Sequence, residues 1–433
     1  MPDSRDPRLC TYETRFLLWW GILLYLLQLG SRRQLDFELR DGGPQVLDNV
    51  NRLAETHQTS MPVHDTLDHG LEHMALSALE VLRFQMVQRL LRMKVFDAAR
   101  VLGRPVLIID GTGLICFHRR HCPYCLTQQH GEQTLYMHQV LEAKLLGPAG
   151  LVVSLGSEFI ENADAAQAAG KSAEQVKQDC ELKAFIRLMP QIKQLYPQLA
   201  FVLAMDSLYG VGPVFALLQE YHWSYVVTFK EGRTPALWKE YRTLLPLCSE
   251  NTLQRTYGDG KVQEFRWVPL EYQDSEGRCF KTNGFECTET VTREEKQEKH
   301  YFAWLSDLKV TAKTVEEIAE GGGRARWKIE NEGFNRQKNS GLNLTHVYSI
   351  HPEKWKSYYV LLQIAFILTQ LLERGSLLRR LAMQSGRSWQ KLFGSLRNIA
   401  RRLLESLRNR SWEEEWFDVA SAAKLRISFD NSS

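Results

Sequence analysis

The spacing of hydrophobic and polar residues changes along the chain, and each change predicts a different kind of structure. In the first hundred residues the apolar positions recur at helical intervals, which predicts helices at 12–29 and 66–93. The apolar stripe of the second helix drifts around its surface toward the end. The basic pair Arg32 and Arg33 follows the first helix, either as phosphate contacts or as cations that favour a helix end.

From residue 101 the pattern becomes one of continuous apolar runs, which are typical of strands buried on both faces of a sheet. Residues 104–110 form such a run and end in Asp110. The glycine-rich sequence at 111–113 is expected to turn the chain into a returning strand at 114–118. A second run at 199–206 ends in Asp206. Further elements are predicted at 152–160 (strand), 173–195 (helix), 210–221 (helix) and 223–229 (strand).

Residues 231–300 are polar and rich in turn sequences, notably at 258–260, 275–277 and 283–284. Short alternating segments between these turns predict hairpins. Apolar character returns at 301–308, and the remaining periodic segments predict helices at 314–320, 324–338 and 352–407.

The fold class expected from these patterns is α/β, with a mixed sheet, flanking helices and a β-rich insertion. The five predicted regions are a helical N-terminal region at 1–100 that could bind DNA ends, the first part of the core at 101–230, the β-rich insertion at 231–300, the remainder of the core at 301–350, and a basic helical C-terminal region at 351–433.

The charge distribution indicates a polyanionic partner more clearly than the net charge does. The 433 residues carry a net charge of only +3, but residues 353–410 contain three Lys and nine Arg against three Glu. Such a region fits DNA, although a solvated helical face has the same appearance. Eight scattered cysteines and an N-terminus without a signal-peptide pattern favour a cytoplasmic protein with free thiols. The longest apolar run, at 16–27, is shorter than the roughly 18–20 residues of a membrane span, so a buried helix is expected.

Three carboxylates form the candidate catalytic group. Asp110 and Asp206 each end an apolar strand, and Glu330 lies in the segment at 324–338, where Arg326 and Gln337 are expected on the same helical face. Strand ends of one sheet can bring such acids to a common edge, where they could bind two divalent ions. Oxygen ligands favour Mg²⁺, or Mn²⁺ in its place. Each acid could instead be an ordinary turn or cap residue.

The same stretches resemble bacterial insertion-sequence transposases of the DDE type, which have a ribonuclease-H-like catalytic core. The likeness covers about 101–349 and rests on residues 107–113 (LIIDGTG), 202–209 (VLAMDSLY) and 326–335 (RWKIENEGFN). Residues 157–160 (SEFI) and 177–183 (KQDCELK) resemble the subgroup with a β-rich insertion before the catalytic Glu. This chain has Gly323 where the related pattern has a tyrosine, and Gln337 followed by Lys338 where it has a lysine.

The resemblance implies that Asp110, Asp206 and Glu330 bind the metal ions, with Glu332 as the rival third acid. The activity it implies is DNA cleavage at the element ends, followed by attack of the freed 3′-hydroxyl on target DNA, in a homodimer or larger assembly on double-stranded DNA. The candidate DNA-binding residues are Arg326, Lys338, Arg324, Arg32 and Arg33, with Trp304 and Trp267 as aromatic residues that could hold a flipped base or simply pack in the core.

A second metal is suggested by the Cys122–Pro–Tyr–Cys125 sequence, which could bind zinc together with His121, His130 or His138. A tight turn with two free thiols is the alternative. Two other functions remain open at this point, namely a nuclease that cuts without strand transfer and a catalytically silent DNA-binding protein with the same core.

Overall fold

The computed structural model describes residues 5, 10–162, 179–258, 260–293, 296–413, 427 and 429. The start of the helix predicted at 173–195 and most of the end of the predicted C-terminal region lie outside the described residues. The described helices are α1 (Thr14–Leu26), α2 (Arg32–Leu39), α3 (Pro44–Ala54), α4 (His64–His73), α5 (Leu76–Arg92), α6 (Glu181–Leu195), α7 (Gly212–Glu220), α8 (Pro235–Leu244), α9 (Val315–Ile318), α10 (Asn335–Asn339), α11 (Lys354–Arg374), α12 (Ser376–Gln384), α13 (Trp389–Phe393) and α14 (Leu396–Asn409).

The described strands are β1 (Arg100–Val101), β2 (Arg104–Phe117), β3 (Leu126–His130), β4 (Gln133–Leu146), β5 (Val152–Ile160), β6 (Val202–Met205), β7 (Ser224–Thr228), β8 (Thr252–Thr256), β9 (Val262–Gln273), β10 (Cys279–Arg293) and β11 (Lys296–Ser306). They form one mixed sheet in the order β3-β4-β2-β6-β7-β11-β10-β9-β8, with β5 also paired to β4 and β1 to β2. Pairing is parallel between β2 and β6 and between β6 and β7, and antiparallel elsewhere. The predicted mixed α/β fold is therefore confirmed.

Alternate residues of the central strands pack into two separate layers of core. On β2, Val106 and Ile108 belong to the layer that contains α11 and the N-terminal helices. Leu107 and Ile109 belong to the opposite layer, with α6, α7 and α8. Burial on both faces is the reason why β2 is apolar at every position from Val106 to Ile109 and not at every second one.

The N-terminal helices differ from the prediction in two respects. The helices α2 and α3 were not predicted. The helix expected at 66–93 is two helices, because Met74 has an extended backbone that separates α4 from α5. The break explains the drifting apolar stripe, since each helix turns its own face to the core: Leu67 and Leu71 in α4, and Leu79 and Val87 in α5.

Two apolar helices are core elements. The predicted burial of α1 is confirmed, with Phe16 and Trp20 fully buried. The chain at 354–384, which begins with α11, is long and apolar enough to cross a membrane, yet 67% of its apolar window is buried within the protein. Tyr25 of α1 donates a hydrogen bond of 3.1 Å to the backbone oxygen of Tyr358 in α11. This burial is that of a core helix.

The strand prediction was wrong at 111–113. These residues do not turn the chain but lie within β2, which continues to Phe117 with a register shift between Gly113 and Ile115. Small residues allow the strand to bend there without leaving the sheet. β4 was not predicted, because its buried charged residues Glu142 and Lys144 interrupt the apolar pattern that identifies a strand.

The β-rich segment continues the central sheet, since β11 pairs with β7. Asn283 and Gly284, predicted as a turn, lie instead inside β10. A side chain at Gly284 would meet the ring of Tyr241 at 2.6 Å, so the glycine is needed for close packing of α8 on the sheet. The helix α8 itself was not predicted.

Candidate active site

Asp110 lies on β2, and Asp206 directly follows β6, the adjacent parallel strand. The last paired positions of β2 and β6 join Ile108 to Ala204. Each aspartate follows its paired residue by two positions, so both acids lie at one level and on one side of the sheet. Neighbouring strands are about 4.8 Å apart. The tertiary structure therefore brings these two predicted residues together.

The charge of Asp110 is only partly compensated. Burial raises the pKa of its carboxyl to about 6, and the negative charges of Glu181 and Asp206 act in the same direction. The opposing contributions come from the guanidinium of Arg326, whose Nη1 lies 3.4 Å from Asp110 Oδ2, and from the backbone N–H of Gly111. Asp206 is held by a hydrogen bond of 2.8 Å that its carboxylate accepts from the backbone N–H of Leu208. Such a site has a surplus of negative charge that a cation would relieve.

Glu181 is a third acid at this site. It lies in the 177–183 stretch that resembles related transposases, but the sequence pattern does not identify it as a site residue. It begins α6 and approaches β2 over Gly111, where an added Cβ would meet its Oε1 at 2.3 Å. Tyr209 donates a hydrogen bond of 3.2 Å to Glu181 Oε2. Burial raises the pKa of Glu181, and the charge of Asp206 adds to the effect. We call Asp110, Asp206, Glu181 and Arg326 the acidic rim.

The segment that carries Arg326 and Glu330 is helical but irregular. It contains a π-helical turn at Ala319–Gly323, a 3₁₀ turn at Arg324–Arg326 and a second π-helical turn at Ile329–Phe334, before α10. The three glycines at 321–323 do not make a free turn. A Cβ at Gly322 would meet Val226 at 2.8 Å, and one at Gly323 would meet Trp304 at 2.4 Å, so they let the segment pack closely on the sheet.

The irregular winding changes which side chains share a face. Gln337 was expected beside Arg326 and Glu330, but it is fully buried and donates a 2.8 Å hydrogen bond to Gln363 of α11. A π-helical turn holds more residues than an α-helical one, so the 3.6-residue count fails across it. Glu332 also faces α11, where it forms an ion pair with Arg374.

Glu330 is half-buried and, among the described residues, forms neither an ion pair nor a side-chain hydrogen bond. Its π-helical turn packs against β2, and Arg326, four residues earlier, reaches Asp110. The structure thus places the segment of the third predicted acid next to the acidic rim, although Glu330 forms no hydrogen bond with Asp110 or Asp206.

A cleft of 470 Å³ opens next to Asp206. Its lining includes the aromatic side chains of Tyr301, Phe302, Trp304 and Trp327 together with Arg326. Trp304 is almost completely buried and stacks on Phe302, whereas Trp327 is 54% exposed. The guanidinium carbon of Arg326 lies 4.2 Å from the ring centre of Trp327. The cleft therefore offers aromatic faces and a cation beside the rim.

The other predicted DNA-binding residues have varied surroundings. Trp267 is buried in β9 and is not at the surface. Arg324 forms an ion pair of 2.6 Å with Glu289. Arg32 lies 3.3 Å from Asp65, while Arg33 is exposed. Lys338 is half-buried, with its Nζ 5.9 Å from the ring centre of Phe334.

The candidate zinc residues lie in the β-hairpin beyond the rim. His121, Cys122, Cys125 and His138 converge, with one ligand atom of each within 4.8 Å of the others. His130, which was included among the predicted ligands, is not part of this group. It is exposed at the end of β3, because the hairpin carries it away from the Cys residues. His138 comes from β4, and burial lowers the pKa of its ring to about 4.

Comparison with known proteins finds no protein-family model that matches the chain and no curated protein with significant similarity to it.

Proposed function

We propose that the protein is a DDE-type transposase that cleaves DNA at insertion-sequence ends and joins the freed ends to target DNA. The observation that carries the proposal is the register that brings Asp110 of β2 beside Asp206, at the end of the adjacent parallel strand β6, with Glu181 nearby and Arg326 as a compensating cation.

The order of the central strands supports the same proposal. β5, β4 and β2 run antiparallel to one another, and β6 and β7 follow parallel to β2. This arrangement is the one expected of a ribonuclease-H-like sheet. In such a sheet the first strand, here β2, and the fourth strand, here β6, each contribute a catalytic acid. The segments quoted for the transposase resemblance coincide with β2, β6 and the helical segment of Glu330.

The residues of the rim fit divalent ions of the magnesium type. The atoms that could bind a metal there are carboxylate oxygens, which is the ligand class that Mg²⁺ and Mn²⁺ prefer. Asp110, Asp206 and Glu330 would hold the ions. Glu181 is a further carboxylate, close enough to interact electrostatically with both aspartates. Bound there, such ions supply activation of the attacking oxygen and stabilisation of the leaving oxygen in phosphodiester chemistry.

The chain's own residues bind and orient the DNA. Arg326 can contact a phosphate while it steadies Asp110. Trp327, with its exposed ring in the cleft, is better placed than Trp267 or Trp304 to stack on a displaced base. Water first attacks the phosphodiester at the element end, and the bond that breaks leaves a free 3′-hydroxyl. That hydroxyl then attacks a phosphodiester of the target DNA and displaces a 3′-hydroxyl of the target strand, so the enzyme forms no covalent intermediate.

A basic surface on the C-terminal helices supports binding to DNA. α14 packs through Ile399 and Leu407, and its outer positions Arg397, Arg401 and Arg402 are exposed. Exposed arginines on one face can neutralise several phosphates, and binding by such contacts weakens as salt rises.

The test uses the full chain with a duplex that contains the inverted repeats flanking its coding region. The proposal predicts Mg²⁺-dependent nicks with 3′-hydroxyl ends at the repeats, and joint molecules when target DNA is added. Nicks without joint molecules would indicate a nuclease with this core. DNA binding without either product in Mg²⁺ or Mn²⁺ would indicate a silent binding protein and would contradict the proposal.

A further inference from the structure

Four residues of the β-hairpin beyond the acidic rim bring together two sulfur and two imidazole ligands. His121, Cys122 and Cys125 lie between β2 and β3, and His138 lies on β4. One ligand atom from each is within 4.8 Å of all the others. Both cysteines and His138 are buried. Neither thiol is in a disulfide.

The distances between these atoms are those of the corners of a small tetrahedron. The two Sγ atoms are 3.3 Å apart, and Cys122 Sγ lies 3.4 Å from His138 Nε2. Cys125 Sγ is 3.8 Å from the same nitrogen, and the two histidine Nε2 atoms are 3.0 Å apart. An ion bound at about 2.3 Å from sulfur and about 2.0 Å from nitrogen requires ligand separations of roughly 3.3–3.8 Å. The atoms are therefore close to the positions that a zinc ion needs.

A carboxylate behind His138 gives an independent indication. His138 Nδ1 and Glu161 Oε1 are both buried and both without a hydrogen-bond partner, and they face each other at 3.8 Å. The other oxygen of Glu161 lies 2.8 Å from Lys356 Nζ, which fixes the carboxylate. A metal-bound histidine typically donates its second N–H to such a carboxylate. The arrangement leaves Nε2, the nitrogen that faces the thiols, as the metal ligand.

We propose that His121, Cys122, Cys125 and His138 form a structural zinc site, with Glu161 orienting His138. Two cysteines and two histidines select zinc over the hard ions expected at the acidic rim. Four protein ligands complete a tetrahedron, so no position remains for a substrate or water, and the role is structural.

A zinc ion at this site would link the end of the hairpin formed by β3 and β4 to the core. His138 is paired with Ile115 in the register of β4 and β2, and its ring lies 4.7 Å from that of Trp355 at the start of α11. Zinc would thus join the β2–β3 loop to β4 and, through His138, hold both against α11. Strand β2 is the one that carries Asp110, but the zinc proposal stands whether or not the protein is a transposase.

The first experiment measures the metal content of the purified full chain by mass spectrometry. About one zinc per chain is expected in the wild type, and a large loss is expected in Cys122→Ser and Cys125→Ser. The matched controls are Cys116→Ser on β2 and His130→Gln on β3, both exposed positions of the same hairpin region that should retain the metal. Substoichiometric zinc in the wild type, or equal zinc in Cys122→Ser and Cys116→Ser, would overturn the proposal.

A second experiment remains informative if the cysteine variants fail to fold. The wild type is stripped with a chelator and loaded with Co²⁺, whose absorption reports tetrahedral coordination and thiolate ligation. Glu161→Gln keeps all four ligands and should weaken zinc binding about 10- to 100-fold, the usual effect of losing a carboxylate behind a ligating histidine. A cobalt spectrum without thiolate ligation, or a Cys122–Cys125 disulfide in the freshly purified protein, would contradict the site.

Discussion

Asp110 and Glu142 are direct neighbours across the β2–β4 pair, and they face the same side of the sheet, yet their surroundings are opposite. Glu142 is fully buried and accepts hydrogen bonds from the hydroxyls of Ser154, Ser157 and Tyr359. Asp110 has one guanidinium at 3.4 Å and further carboxylates beside it.

The difference separates a structural carboxylate from a functional one. The hydroxyls that donate to Glu142 come from β5 and α11, so these hydrogen bonds hold the two elements together. Arg83 of α5 joins the same network by donating to Ser154 and Ser157, at 3.1 and 2.6 Å. The three hydroxyls that donate to Glu142 therefore compensate its buried carboxylate within the fold. The acidic rim keeps an unbalanced charge, and this is the condition for binding a cation.

The largest effect is expected from Asp110→Asn. Loss of one metal-binding carboxylate should lower Mg²⁺-dependent cleavage by at least about a thousandfold, equivalent to about 4 kcal/mol of transition-state stabilisation. DNA binding should remain. Cleavage assays and a binding assay on the same preparation measure both, with Asp41→Asn, an exposed aspartate, as the control. Wild-type cleavage by Asp110→Asn would remove Asp110 from the chemistry.

Glu142→Gln should affect stability instead of chemistry. The amide places N–H groups where three hydroxyls donate, and the resulting unsatisfied buried groups should lower the free energy of unfolding by about 2–4 kcal/mol. Urea denaturation measures this change. Glu264→Gln, at an exposed position of β9, should change it little. Equal stability of the two variants would show that the network around Glu142 does not support the fold.

The stability of the magnesium-free protein should depend on pH through Asp110. The folded-state pKa of Asp110 is about 6, above its unfolded value of about 3.9, so the folded protein binds more protons between these values. Its contribution to stability is therefore lost as pH rises from about 4 to about 6, by up to about 3 kcal/mol. Urea titrations in magnesium-free buffer should show this decline in the wild type relative to Asp110→Asn.

That difference isolates Asp110, because the lowered pKa of His138 acts with the opposite sign in both proteins and cancels. Parallel pH profiles for wild type and Asp110→Asn would mean that the carboxyl has an ordinary pKa.

The smallest effect is expected from Tyr359→Phe. It removes one hydroxyl that donates to Glu142, which should cost about 1–2 kcal/mol of stability. Tyr196→Phe is a matched control, since the hydroxyl of Tyr196 is buried without a partner. Thermal unfolding should show a lower midpoint for Tyr359→Phe only. A similar loss in both variants would indicate packing, and not the hydrogen bond, as the cause.

The sequence by itself determined the secondary-structure elements that depend on the local pattern of apolar residues. Continuous apolar runs identified β2 and β6, because burial on both faces demands them, and the acids that end these runs identified Asp110 and Asp206. The strands β5 and β7 were also predicted, at 152–160 and 223–229. Asn283–Gly284 shows the limit of such reasoning: the dipeptide favours a turn, but here the glycine serves the contact with Tyr241.

Only the tertiary structure decided which distant groups meet. It brought Glu181 over Gly111, chose His138 over His130, and gave Glu142 its partners from β5 and α11, since strand pairing and helix packing place residues that are far apart in the chain. It also rotated Gln337 into the core, because the π-helical turn at Ile329–Phe334 alters the winding that a regular helix would have had. Local patterns determine which residues can form strands and helices, whereas the pairing register determines which side chains form a site.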